Sequence, residues 1–354
     1  MKKTLRLLSL VIALLMTFAL VSCTTQTQNG TGTDETKDAA EGTAQNSGDA
    51  AGHPFKVGVI QYLSHPSLDN CYAGVEAALK ESGLDYELVY KTGSNNSAES
   101  DCASFAGNMV ADRCDLIVGI ATPAAKSAFT ATADTYCKVI FCAVSDPVSA
   151  GLVNALDAPG VLCSGTSDVL DFDAQIALIK TFQPDVKKIG VLYTSSEENS
   201  ISQLASFTEV CKANGIEVYS KAVQNASDIP SAAEDVASQV DCINNFTDNN
   251  VVNNLSVLLE AAERYGIPVY GSEEEQVKNG CLASVSIDYV ALGKVTGEMA
   301  VEVLKGADIT AMAVRTISEG VPVVNSEVAS AFGYDVEALF ASASNAPTLV
   351  GAPE

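Results

Sequence analysis

Three acidic residues stand just past apolar runs: Asp146 after Lys138 to Val144, Asp248 after Cys242 to Phe246, and Glu273 after Ile267 to Tyr270. A carboxylate at such an edge can pair an ammonium group. The run Leu116 to Ala121 ends differently, at Thr122-Pro123 and a small-residue segment with helical spacing. Proline needs no N–H donor in a first helical turn, so Thr122 reads as the helix N-cap. The amides of Ala124 and Ala125 are then free to face an anion. Acids at some edges and an open helix N-terminus at another offer opposite partners to a molecule carrying both charges within a few bonds. Gln61, Tyr62, His65 and Leu68, which follow the run Lys56 to Ile60, could line the same place. Each residue also has a plainer reading: Asp146 as a turn cap before Pro147, Asp248 as the cap of a helix starting near Asn249, Glu273-Glu274-Glu275 as a solvated face, and His65 as a loop residue.

The elements that must hold these residues alternate. Strands are expected at 56–62, 86–90, 115–120 and 138–144, with helices at 68–82, 97–111 and 123–133 between them, so a parallel sheet with right-handed crossovers follows. In such a sheet ligands bind at the carboxyl edge. The same grammar then returns. Lys56-Val57-Gly58-Val59-Ile60 is echoed by Lys188-Ile189-Gly190-Val191-Leu192, and Asp115-Leu116-Ile117 with Thr122 by Asp241-Cys242-Ile243 with Asp248. Two echoes in the same order and at nearly equal offsets predict two similar α/β lobes. The second continues through strands at 188–193, 217–222, 242–246 and 267–270 and helices at 172–182, 230–239 and 251–265. A strand at 283–286, a helix at 289–304, and strands at 314–317 and 321–324 return the chain between lobes.

With 354 residues and 47% hydrophobic content, the chain can build two substantial cores. Its net charge of −24 repels nucleic acid and anionic lipid heads. Met1 to Cys23 reads as a targeting segment, with Lys2, Lys3 and Arg6 ahead of an apolar stretch from Leu7 to Val21 and small residues before Cys23. Residues 24–53 are polar and nearly without large apolar side chains, a tether rather than a fold. The nine cysteines beyond Cys23 show no C-x-x-C pair and read mostly as small buried hydrophobes. Two histidines give little basis for a metal cluster or for acid–base chemistry, and no nucleotide-binding, nucleophile-elbow or zinc-protease motif is present. No cofactor is expected.

The ordered set Ile120-Ala121-Thr122-Pro123-Ala124-Ala125, Ser145-Asp146-Pro147-Val148, Gly151-Leu152-Val153, Gly190-Val191-Leu192-Tyr193, Ser196-Glu197-Glu198-Asn199-Ser200 and Thr247-Asp248-Asn249 resembles the substrate-binding lipoproteins of ABC importers. Within them it is similar to the type I subfamily associated with aromatic and other apolar amino acids, and Leu20-Val21-Ser22-Cys23 resembles a bacterial lipobox. The resemblance implies an α/β fold of two Rossmann-like lobes with parallel sheets joined by three crossovers. One lobe would take residues 54–165 and about 283–312, the other 166–282 and about 313–345. It implies a ligand in the cleft, hinge closure and no catalysis. Ser196, Glu198 and Asn199 would form the second lobe's cleft loop. Cys23 would be lipidated, placing a monomeric receptor outside the cytoplasm beside its permease, in an envelope of either Gram type. A sugar or nucleoside receptor, a ligand sensor, and a carboxylate-dependent hydrolase remain the alternatives.

Overall fold

A computed structural model describes residues 53–317, 320–341, 343 and 346–351. The leader, the lipobox at Cys23 and the tether up to residue 52 lie outside the described residues. The first lobe is built from β1 (Phe55–Gln61), α1 (Pro66–Glu81), β2 (Tyr86–Thr92), α2 (Ala98–Ala111), β3 (Leu116–Ile120), α3 (Thr122–Thr132), β4 (Lys138–Cys142) and β5 (Cys163–Ser167). The chain then crosses to α4 (Phe172–Phe182), β6 (Lys188–Thr194), α5 (Glu198–Ala213), β7 (Glu217–Val223), α6 (Ile229–Ala237), β8 (Cys242–Asn244), α7 (Asn249–Asn253), α8 (Leu255–Tyr265), β9 (Val269–Tyr270), α9 (Glu274–Lys278) and β10 (Ala283–Ser286). It returns through α10 (Tyr289–Leu304) and β11 (Arg315–Thr316), then ends with β12 (Val321–Asn325), α11 (Ser326–Ala331), α12 (Val336–Leu339) and β13 (Thr348–Val350).

In the first lobe the strand order is β11-β5-β4-β3-β1-β2, and every pair is parallel. Helices cover both faces, which is why β3 is buried at all five positions and reads as an unbroken apolar run. The second lobe has a parallel sheet β7-β6-β8-β9. It is extended by β10-β12-β13, with Gly271 N–H donating to Ala283 O (2.9 Å) and Leu282 N–H to Val269 O (2.7 Å).

The internal echo has a physical cause. Asp115 Oδ2 accepts from the Lys56 amide at 2.8 Å, and Asp241 Oδ2 accepts from the Lys187 and Lys188 amides at 2.8 Å. In each lobe an aspartate ahead of the third strand thus pins the start of the first. Each first strand also carries a glycine under a helix. A Cβ on Gly58 would meet the Met109 sulfur of α2 at 2.4 Å, and one on Gly190 would meet Val236 Cγ1 of α6 at 2.4 Å.

Three expectations need correction. Thr122 is not the cap of α3 but its first residue; Ala121, at φ 76°, takes the cap position without a side-chain bond. The helix expected over 251–265 is two helices meeting at Asn254. The lobe boundaries also move. β10 pairs antiparallel with β12, so 283–286 belongs to the second lobe, whereas β11 pairs with β5, so 315–316 belongs to the first. The chain therefore changes lobe at 168–171, at 287–288 and between β11 and β12. Strand spacing alone does not reveal sheet membership, because a short strand pairs with whichever edge the preceding helix delivers it to. Among the described residues no helix is long and apolar enough to cross a membrane, and all nine cysteines there are buried free thiols.

Candidate functional site

The carboxyl ends of the first lobe's strands face loops of the second across a small cavity of about 20 Å³. From the first lobe come His65, Ser67 and Leu68 at the start of α1, Ala121 and Thr122 after β3, Ala143 and Ser145 after β4, Asp168 after β5, and Tyr289 opening α10. The second lobe supplies Asn199 on α5, Thr247, Asn249 and Val252 around the start of α7, and Glu273 after β9. Hydrogen bonds bridge the cleft: Ser67 Oγ donates to Glu273 Oε2, Asn70 Nδ2 to Glu275 Oε1 (3.3 Å), and Gln203 Nε2 to Ser145 Oγ (2.8 Å). Lys126 and Glu198 form an ion pair at the cleft's flank. The lobes are closed on the cavity.

Among the described residues two carboxylates line it, and no lysine or arginine does. Asp168, 3% exposed, accepts from Ser145 Oγ at 3.0 Å and from the Tyr289 hydroxyl at 2.9 Å. Burial raises its pKa, with those two donors opposing. Glu273, 2% exposed, is pushed up to about 7, mainly by burial. Both shifts report the same physical fact: a charge taken out of water without a cation to meet it. Beside them, three buried polar atoms of lining residues have no partner among the described residues: His65 Nδ1, Thr122 Oγ1 and Asn199 Oδ1. Such atoms are uncommon in folded proteins, and a cluster of them in one cavity points to a ligand. Ala121 and Ala143 both hold positive φ, 76° and 55°, which costs an alanine energy and keeps only a methyl group at the wall.

Of the residues singled out from sequence, His65, Thr122, Asn199 and Glu273 line the cavity, as does Leu68. The others do not. Gln61 is spent within the first lobe, donating to Leu63 O (2.8 Å) and Asp69 Oδ1 (2.6 Å) and accepting from the Tyr90 hydroxyl (3.1 Å). Ala124 is packed in the core beneath β3, and the Ala125 amide donates to Ala121 O at 3.0 Å. Tyr62, Ser196 and Glu198 line a separate lateral groove with Lys126. Asp146 caps a turn, accepting from Ser149 N (2.9 Å) and Oγ (2.6 Å). Asp248 caps α7 through Val251 N (2.9 Å) and also accepts from Thr194 N (2.5 Å), Thr194 Oγ1 (2.8 Å) and Ser200 Oγ (2.7 Å), leaving neither oxygen free for an ammonium.

Asp168 is the lining acid that the sequence did not single out. It follows Ser167 at a strand end just as Asp146 follows Ser145, but Asp168 turns into the cavity as the chain crosses between lobes. Ser67, Ser145, Thr247, Asn249 and Tyr289 also line the cavity without having been proposed. Beneath them lies Glu197, which accepts from Asn249 N (3.1 Å), Asn249 Nδ2 (2.6 Å) and Asn250 N (3.2 Å); burial and the nearby Asp248 push it up to about 8. Among the described residues no group of three or more His, Cys, Asp or Glu is placed to hold a metal ion.

A stability measurement separates the two aspartates. Asp248→Ala strands buried donors and is expected to cost about 3 kcal/mol or more in urea denaturation, whereas Asp146→Ala removes one turn cap and costs about 1 kcal/mol.

Comparison with known proteins agrees with this architecture. Residues 56–345 match the family model described as ABC transporter substrate binding protein. A tyrosine-binding protein of Clostridioides difficile strain R20291 is 35% identical over 339 residues, covering 94% of this chain and 93% of that one. An ABC domain from Streptococcus pneumonia solved with L-Trp is 36% identical, with a TM-score of 0.78 over 84% of this chain and all of that one. A ligand-free, open structure of a substrate-binding protein with adhesive properties from Clostridium difficile is 33% identical with the same coverage, but its TM-score is 0.64. At nearly equal identity, the higher score falls to the liganded structure, in keeping with a closed cleft here. By the family match and the relatives' length of overlap, the chain belongs to the substrate-binding proteins of ABC transporters.

Proposed function

We propose that the cavity takes one free amino acid with an apolar or aromatic side chain for delivery to an ABC permease, and that lipid on Cys23 holds the mature chain at the outer face of the cell membrane. The carrying observation is the pair of buried carboxylates, Asp168 and Glu273, in a cavity lined by no cationic side chain. A ligand ammonium supplies the absent positive charge. The ligand carboxylate finds donors at the start of α3, where the Thr122 hydroxyl lacks a protein partner and the first amides have none within the helix. Leu68, Ala121, Ala143, Val252 and the Tyr289 ring leave apolar wall for the side chain. The tyrosine-binding and L-Trp-bound relatives support the same class. The basic, apolar leader ending at Cys23 and the polar stretch after it support the anchor.

Calorimetry with amino acids, sugars and nucleosides tests the ligand class. Asp168→Asn keeps the shape of the pocket but removes a charge partner, so amino-acid binding should weaken by about a hundred- to a thousandfold. Tight binding of an uncharged sugar with no amino acid bound would sink the proposal.

The carboxyl shifts set a pH dependence. Folded Glu273 and Asp168 hold protons more tightly than in the unfolded chain, so between the ordinary carboxylate range and about pH 7 the folded state carries more protons. Stability of the free protein should therefore fall as pH rises through that window. An incoming ammonium favours the ionised carboxylates, so binding at pH 6 should release protons, seen as a buffer-dependent enthalpy, and affinity should rise toward pH 8. For the anchor, Cys23→Ala should leave the protein unprocessed or free of the membrane fraction; normal processing with membrane retention would refute lipid attachment.

A further inference from the structure

The hydrogen-bond network behind His65 decides which of its ring nitrogens carries the proton. Both oxygens of Glu197 accept backbone N–H groups, Asn249 at 3.1 Å and Asn250 at 3.2 Å, so once ionised, above about pH 8, this carboxylate is an acceptor on both sides. The side-chain amide of Asn249 lies 2.6 Å from the same Oε2 and must present its NH₂ there, since a carbonyl oxygen would face another acceptor. Asn249 Oδ1 is thereby turned across the cleft to His65 Nε2, at 3.3 Å. An amide oxygen only accepts, so Nε2 carries the hydrogen. A neutral imidazole has one N–H, and His65 Nδ1 is left as a bare lone pair.

That nitrogen is buried, has no partner in the protein, and belongs to a residue lining the cavity. Burial holds the ring neutral by lowering its pKa, against the Asn249 bond and the Asp69 carboxylate, which favour protonation. A neutral acceptor complements a neutral donor, while Asp168 and Glu273 supply charge for an ammonium. We propose that His65 is a specificity-determining residue: held by Asn249 as the Nε2–H tautomer, it offers Nδ1 to an O–H or N–H on the ligand's aromatic ring, so the site prefers such amino acids to phenylalanine. The proposal rests on the amino-acid reading above and refines it. A ring without a donor leaves Nδ1 buried and unpaired, and a site built to bond a donor discriminates most strongly against the analogue that lacks it.

The test is calorimetry, at a pH above 8 where Glu197 is ionised, of L-tyrosine, L-tryptophan and L-phenylalanine against wild type, His65→Phe and His65→Gln, scored as the affinity ratio of each donor-bearing ligand to phenylalanine. In wild type at least one ratio should be about ten- to a hundredfold. His65→Phe should bring it close to one. His65→Gln, whose amide can donate to Asn249 and accept from the ligand, should restore part of it. A merely structural role for His65 would weaken all three ligands together and leave the ratios unmoved. If His65→Phe does not fold, Asn249→Leu, which keeps the imidazole but frees its tautomer, should lower the ratio instead. Unchanged ratios in the folded variants, or no preference in wild type, overturn the proposal while leaving the amino-acid reading intact. Failure of wild type to bind any amino acid overturns both.

Discussion

Burying a carboxylate without a cation is among the costliest things a folded chain can do, and this protein does it twice in one cavity. Asp168 and Glu273 are each softened by hydroxyl donors, Ser145 and Tyr289 for the first and Ser67 for the second. None of these donors carries charge. The cavity is thus left acidic and uncompensated, stable when the carboxyls hold protons and receptive when a cation arrives. Closure of the lobes deepens this, because water that would solvate the carboxylates in an open cleft is excluded. The Ser67 hydroxyl that meets Glu273 comes from the opposite lobe, so one contact both closes the cleft and steadies the acid.

Behind the lining stands a layer outside this cavity that orients the residues facing it. Glu197 and Asp248 together occupy the first amides of α7, at Asn249, Asn250 and Val251. That helix N-terminus is therefore used up by the protein's own acids, in contrast to the start of α3, where Thr122 Oγ1 has no partner. Two helix starts that look alike in sequence have opposite fates: one is neutralised internally, the other left open. Gln203 extends the layer across the cleft, donating to Ser145 Oγ at 2.8 Å and to Thr247 Oγ1 at 2.6 Å. Since Ser145 in turn donates to Asp168, the acid in the first lobe is joined through hydroxyls to α5 in the second. Such a network favours the closed arrangement only while all its members are satisfied.

Much of the frame was legible because it depends on local chemistry. The alternation of apolar runs with helical spacing follows from a parallel sheet covered on both faces, and the Asp115 and Asp241 echo follows from the need to pin each first strand at its start. Gly58 and Gly190 recur for a steric reason that acts within one lobe, the close passage of a helix over the strand. The opening of α3 at Thr122-Pro123 was visible too, although Ala121 rather than Thr122 takes the cap because the chain leaves β3 at positive φ.

The sequence by itself determined that the chain has two α/β lobes and that polar residues gather at their strand ends. It also drew attention to His65, Thr122, Asn199 and Glu273. Only the tertiary structure decided which acids face the cavity. Asp146 and Asp168 both follow a serine at a strand end, yet one folds back on Ser149 and the other reaches the Tyr289 hydroxyl, far away in the chain. Asp248 is drawn inward by Thr194 and Ser200, contacts that exist only once β6, α5 and α7 have packed together. Propensity and spacing operate over a few residues, whereas the direction of a side chain at a strand end depends on what the opposite lobe and the crossover segments place beside it.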